Sequence, residues 1–190
     1  LLSLLTSGNS QIVSAGELKM LTNPNPERRL CSCHRLVPDQ CPFWGAVQKR
    51  VLAAVGRPLD QLVLGDNGDD SSFLADNEAL FAAITAVSGA ALIVDSSKSL
   101  PRLSRLLAAE AQGAAFTLHP VHLHRGPFGS MNSARKKGDQ LRQAAYNYTR
   151  LFFLSRELLQ GSTALLIYYE QLASNPRAEM ARVMDWLQLP

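Results

Sequence analysis

The chain has 190 residues, 46% of them hydrophobic and 18% charged. This balance excludes an intrinsically disordered chain, and no run of about 20 apolar residues offers a membrane-spanning helix. Nineteen Lys and Arg against sixteen Asp and Glu leave +3, too mild an excess to point to a nucleic-acid partner, and the length predicts one domain over residues 1–190.

The opening LLSLLTSG reads as the middle of a helix at Leu1 to Leu5, with neither an initiator Met nor a basic leader, so a longer parent chain is expected. A short strand follows at Gln11 to Ser14. Thr22 to Pro42, rich in Pro, Cys and Arg, and Gly56 to Ser72, with its GDNGDDSS run, are predicted as surface loops. Cys31, Cys33 and Cys41 are the only cysteines, which suits a reducing, cytoplasmic compartment better than a disulfide framework. With His34 they superficially offer four zinc ligands. A Cys-x-Cys step beside a His is poor zinc spacing, so free thiols or a local disulfide are expected and no metal site is predicted.

Helical patterns cover Phe43 to Val55, Phe73 to Val87, Leu100 to Ala111, Gly138 to Gln160, and Pro176 to Leu187, the last capped by Asn175. Phe43 and Trp44 are expected to anchor the first of these to the core. Apolar runs mark buried strands at Ala91 to Val94, Ala115 to Leu123 and Ala164 to Tyr169. The alternation of strands apolar on both faces with helices predicts a doubly wound, parallel α/β fold, whose ligands gather at the carboxyl ends of the strands.

From Lys98 to Arg142 the chain carries Lys98, Arg102, Arg105, Arg125, Arg135, Lys136, Lys137 and Arg142 against only Glu110 and Asp139, which points to a local anionic ligand. One strand ends in VDSSK and the next in HLHRGPFGSMNS. Arg125, followed by Ser133 two turns into a helix, has the makings of a phosphate clamp: a planar guanidinium fork plus a hydroxyl near a helix N-terminus. The competing reading pairs Arg125 with a carboxylate and leaves Ser133 an ordinary helix residue. His119, His122 and His124 are expected to share one face of a strand, as structural side chains rather than as a metal or base site.

The blocks LLSLLTSGNSQIVSAGEL, CSC with CPFW, VDSSKSLPRLSRL, HLHRGPFGSMNS and LIYYEQLASNPRAEMARVMDWLQLP occur in an order that resembles the sulfotransferases using 3′-phosphoadenosine 5′-phosphosulfate (PAPS), in particular a bacterial branch similar to the tyrosylprotein sulfotransferases. That resemblance implies a P-loop NTPase-like parallel sheet flanked by helices, PAPS as co-substrate with no metal required, and a small-molecule, glycan or peptide acceptor offering a hydroxyl or amine. It implies that Arg125 and Ser133 hold the nucleotide 3′-phosphate and that Tyr169 packs near the adenine. Lys98 would stabilise charge on the bridging oxygen as sulfuryl leaves, and Glu17 would be the catalytic base. Each keeps an ordinary alternative: Lys98 a solvated lysine at a helix start, Tyr169 a core residue, Glu17 a carboxylate on a helix dipole.

The chain departs from that family in two places. It contains no RSGTT-type phosphate loop, so a sulfotransferase lacking its first strand and loop is expected, truncated at both ends and inactive as it stands. The family's RDPR run reads RGPF here, with Gly126 and Phe128 replacing charged residues, and Arg135, Lys136 and Lys137 are candidates to restore the lost charge. Two rival readings are a P-loop nucleotide-dependent kinase and a non-catalytic nucleotide-binding module of the same fold.

Overall fold

The computed structural model describes residues 2, 6 and 8–189, so the helix expected at Leu1 to Leu5 lies, Leu2 apart, outside the described residues. The chain divides into two compact units, Leu1–Thr117 and Leu118–Pro190.

In the first unit, strand β1 (Ile12–Gly16) pairs in parallel with β2 (Leu92–Asp95), Ile12 opposite Leu92. A register shift after Ser14 sets Gly16 against Asp95. Gly16 takes φ 73°, a left-handed conformation that side chains resist, and so turns the chain sharply as it leaves the strand. Three helices follow from local signals. Helix α1 (Pro42–Val55) starts on a proline and stops at Gly56 in the left-handed region; α2 (Asp70–Ser88) is capped by the Asp69 carboxylate, which accepts from the Ser72 amide. Helix α3 (Leu100–Ala111) is capped by Ser99.

Trp44, Val47 and Val51 of α1 and Leu80, Ala83 and Ile84 of α2 form the core, with Phe43 edge-on to Trp44 at 5.2 Å. The two segments expected to be surface loops are irregular and mostly exposed, yet each also sends side chains inward. They contribute Val37, Leu59, Leu62 and Leu64 to the same core, each such burial removing roughly 1.5–3 kcal/mol of apolar exposure. Side chains from elsewhere satisfy their irregular backbone. The buried Asp76 carboxylate accepts from the Val63 amide and from Arg57, while Arg105 donates to the carbonyls of Gly65, Asn67, Gly68 and Asp69 from above the Phe73 ring. A backbone held by distant side chains leaves no periodic trace in sequence.

In the second unit, β3 (Val121–His124) pairs in parallel with β4 (Leu165–Tyr168), Val121 opposite Leu165. Helices α4 (Pro127–Lys136), α5 (Leu141–Leu158), α6 (Tyr169–Ser174) and α7 (Pro176–Trp186) complete it, the last capped by Asn175 as expected. Ile167, Leu172, Val183, Ala134 and Pro120 are buried in it.

Several expected boundaries move. The strand expected from Ala115 begins only at Val121, because Pro120 has no N–H to give a ladder and only its carbonyl is used, by the Leu165 amide. The helix expected from Gly138 begins at Leu141, since Gly138 takes φ 80°. The strands are not buried on both faces: Val121, Leu123, Leu166 and Tyr168 are exposed. The α/β class stands in its coarse form, helices with short parallel strands in two-stranded sheets among the described residues. No described helix is long and apolar enough to cross a membrane.

His119 corrects the shared-face expectation. It precedes β3 and lies three positions from His122, so it has the wrong parity for a strand face, and its ring sits against Trp186 at 5.5 Å. His122 and His124 do share a face, and Phe152 of α5 packs against both rings, at 6.2 and 4.9 Å. Burial, with help from the positive charge of His124 and Arg156, holds the His122 imidazole below its ordinary value of 6.5. The unfolded chain then binds this proton more readily than the folded one. Stability should be highest above the ordinary value and fall as pH drops through it. Melting temperatures of the wild type and His122→Phe between pH 7 and 5 check this: the variant should show the shallower decline, and equal slopes would refute it.

Candidate functional site

Each unit gathers polar side chains at the carboxyl ends of its two strands, the place where parallel sheets collect ligands. In the first unit the residues leaving β1 and β2 are stitched together. The Leu18 amide donates to Asp95 Oδ1 at 3.1 Å, the Lys19 amide to Ser97 Oγ at 3.1 Å, and the Ser97 amide back to Asp95 Oδ1 at 2.8 Å. Arg102, 1% exposed, closes the cluster from beneath, its Nε donating to Asp95 Oδ2 at 3.0 Å and its Nη1 to the Leu64 carbonyl. Above this platform Lys98 Nζ forms an ion pair with Glu17 Oε1. Two residues 81 positions apart, named separately from the sequence, are thus side by side.

In the second unit Arg125 leaves β3 and Gly126 opens α4. The Arg125 guanidinium lies over the Tyr169 ring, 4.8 Å from its centroid, and no carboxylate pairs with it among the described residues. Both residues line an open concavity of about 720 Å³, shared with Gly126, Phe128, Gly129 and Glu170. Ser133 is half-buried on α4, is absent from that lining, and its hydroxyl has no hydrogen-bond partner among the described residues.

Three features of this site had no signal in the sequence reading. The Tyr148 hydroxyl of α5 donates to the Arg125 carbonyl at 3.0 Å and meets His124 Nε2 at 3.2 Å, pinning the end of the strand. Glu170 Oε1 accepts from the Gly126 amide at 2.9 Å; that bond, aided by the nearby His124 and Arg125 charges, holds its carboxyl below the usual range. Gly129 leaves room for the arginine, since a Cβ there would stand 2.9 Å from Arg125 Nε. A lone tyrosine, glutamate or glycine has no recognisable spacing until the fold brings it to its partner.

The basic series from Lys98 to Arg142 therefore splits. Lys98, Arg102 and Arg105 are consumed by Glu17, Asp95 and Asp70. Arg125, Arg135, Lys136, Lys137 and Arg142, all in the second unit, carry no ion pair among the described residues. Separately, the sulfurs of Cys31, Cys33 and Cys41 lie within 4.8 Å of one another. No family model matches the chain, and neither a curated protein nor a solved structure shows significant similarity to it.

Proposed function

We propose that this chain is a PAPS-dependent sulfotransferase of P-loop-type α/β fold, transferring a sulfuryl group to an acceptor hydroxyl or amine. The observation that carries the reading is Arg125: an arginine without a carboxylate partner, at the carboxyl end of a parallel strand and the start of a helix, laid over an aromatic ring in a concavity. A guanidinium so placed presents its fork to a phosphate, while the Tyr169 ring offers an apolar face to a base. Ser133, on the same helix, is the second donor to the 3′-phosphate in this reading, its hydroxyl uncommitted to any described partner.

In this reading Glu17 and Lys98, paired within the first unit, take the roles of base and charge-stabilising cation. The acceptor oxygen or nitrogen attacks sulfur, and its proton passes to the Glu17 carboxylate. The bond from sulfur to the bridging oxygen breaks, leaving its electron pair on the 5′-phosphate of adenosine 3′,5′-bisphosphate, and the Lys98 ammonium offsets the charge that develops there. The ion pair sets these two side chains next to one another at the carboxyl ends of β1 and β2.

Calorimetric titration with adenosine 3′,5′-bisphosphate tests the assignment. A charge-assisted hydrogen bond contributes roughly 1.5–3 kcal/mol, so Arg125→Ala should weaken binding about 10- to 100-fold. Equal affinity in the variant, or no binding by the wild type at millimolar nucleotide, would overturn the reading.

A further inference from the structure

The strongest feature outside these strand ends is the thiol cluster in the first unit. Cys41 is 3% exposed and stands at the cap of α1, packed into the core, while Cys33 is exposed and Cys31 lies between these extremes. The segment joining them is folded back on itself. Leu30 bridges Leu36 in an antiparallel sense, the Cys31 amide donates to the Arg35 carbonyl at 3.0 Å, and the His34 amide donates to the Cys31 carbonyl at 2.9 Å. His34 takes φ 61°, the left-handed turn that lets the chain reverse immediately after Cys33. The Cys-x-Cys step is thereby bent so that both thiols face a third delivered from a helix start.

Zinc bound by thiolates sits about 2.3 Å from each sulfur in a tetrahedron, which places the sulfurs roughly 3.8 Å apart. Here Cys33 Sγ and Cys41 Sγ are 3.7 Å apart, and all three sulfurs fall within 4.8 Å. Closing the remaining distance needs less than the swing of one exposed side chain. We propose that Cys31, Cys33 and Cys41 bind one zinc ion as three thiolates, with the fourth position open on the solvent side beside Cys33.

Three S–H groups lose their protons to solvent as three Zn–S bonds form, so binding strengthens with rising pH. His34 is not among the sulfur-distance cluster, which leaves water or an added monodentate ligand for the fourth position. The role is structural. Residues 23–41 contain only a short 3-10 turn, at Pro26–Arg28, as regular structure, and a metal would fasten that excursion to the first turn of α1. The proposal is independent of the sulfotransferase reading, and neither fails with the other.

The test uses the full chain, purified under reductant, with Zn²⁺ and then Co²⁺ as probes. Metal analysis should find one zinc per chain, and cobalt should give thiolate charge-transfer and tetrahedral d–d bands. Cys33→Ser, at an exposed position that spares the core, should lose affinity for Zn²⁺ by more than the ~10–100-fold typical of losing an outer-shell partner. Cys31→Ser should do the same. Absence of zinc binding by the reduced protein, cobalt spectra without thiolate bands, or full affinity in both serine variants would overturn the proposal. So would mass analysis showing that the protein, kept under reductant, holds a disulfide between two of the three.

Discussion

Arg102→Ala is expected to destabilise the first unit by about 3–5 kcal/mol, the usual result of removing one partner from a buried ion pair. Arg102 is 1% exposed, and its charge is answered by Asp95 at 3.0 Å and by the Leu64 carbonyl. Truncation removes both contacts, leaves a volume that the Phe73 ring partly bounds, and takes the countercharge from the Asp95 carboxylate. Asp95 also accepts from the Leu18 and Ser97 amides, so the loss should reach past stability to the spacing of Glu17 and Lys98. Arg102→Met, which keeps the apolar stem but not the charge, should be destabilising to a smaller degree, because the volume term is largely retained. Urea midpoints of the three proteins decide the matter. A change below about 1 kcal/mol for alanine, typical of an exposed pair, would show that the arginine is not the keystone of this strand end.

The same arginine marks the limit of what could be read from sequence. The Asn175 cap before Pro176, read from sequence, stands where expected, and the same local chemistry places Ser99 with Pro101 and Gly56 at the ends of α3 and α1. These signals act through bonds to near neighbours, so sequence carries them. Arg102 looked like one of a series of cations awaiting an anion. It is spent on Asp95 seven residues earlier and on Leu64 in a segment read as a surface loop. In the same way the pairing of Glu17 with Lys98 was not predicted, although both residues were, because only the parallel register of β1 and β2 puts them together. His119 failed for a simpler reason, parity: strand faces repeat every two residues, and a step of three crosses the sheet. Where an interaction spans tens of residues, the residue types are visible beforehand and the partners are not.

The sharpest separation of function from folding comes at Gly129. In the first turn of α4, alanine in place of glycine should stabilise the helix by at most roughly 0.5–1 kcal/mol, because the glycine has more backbone freedom to lose on folding. The added methyl would nevertheless stand 2.9 Å from Arg125 Nε and 3.5 Å from both Arg125 Cγ and Glu170 Oε1. The helix backbone is fixed by its own ladder, so the exposed arginine must yield, and its guanidinium is expected to shift from its place over the Tyr169 ring. Gly129→Ala is therefore expected to bind adenosine 3′,5′-bisphosphate about tenfold more weakly, the lower end of what a lost charge-assisted hydrogen bond costs, while melting at the same temperature as the wild type or higher. Arg125→Ala shares the weaker binding but has no reason to gain helix stability, so the two variants together distinguish a displaced guanidinium from an absent one. Unchanged nucleotide affinity in Gly129→Ala, alongside a weakened Arg125→Ala, would mean that the arginine binds from some position other than over the ring. In that event Tyr169 would lose its place in the site, because the stacked geometry is what joins the phosphate-holding group to an aromatic surface for the base.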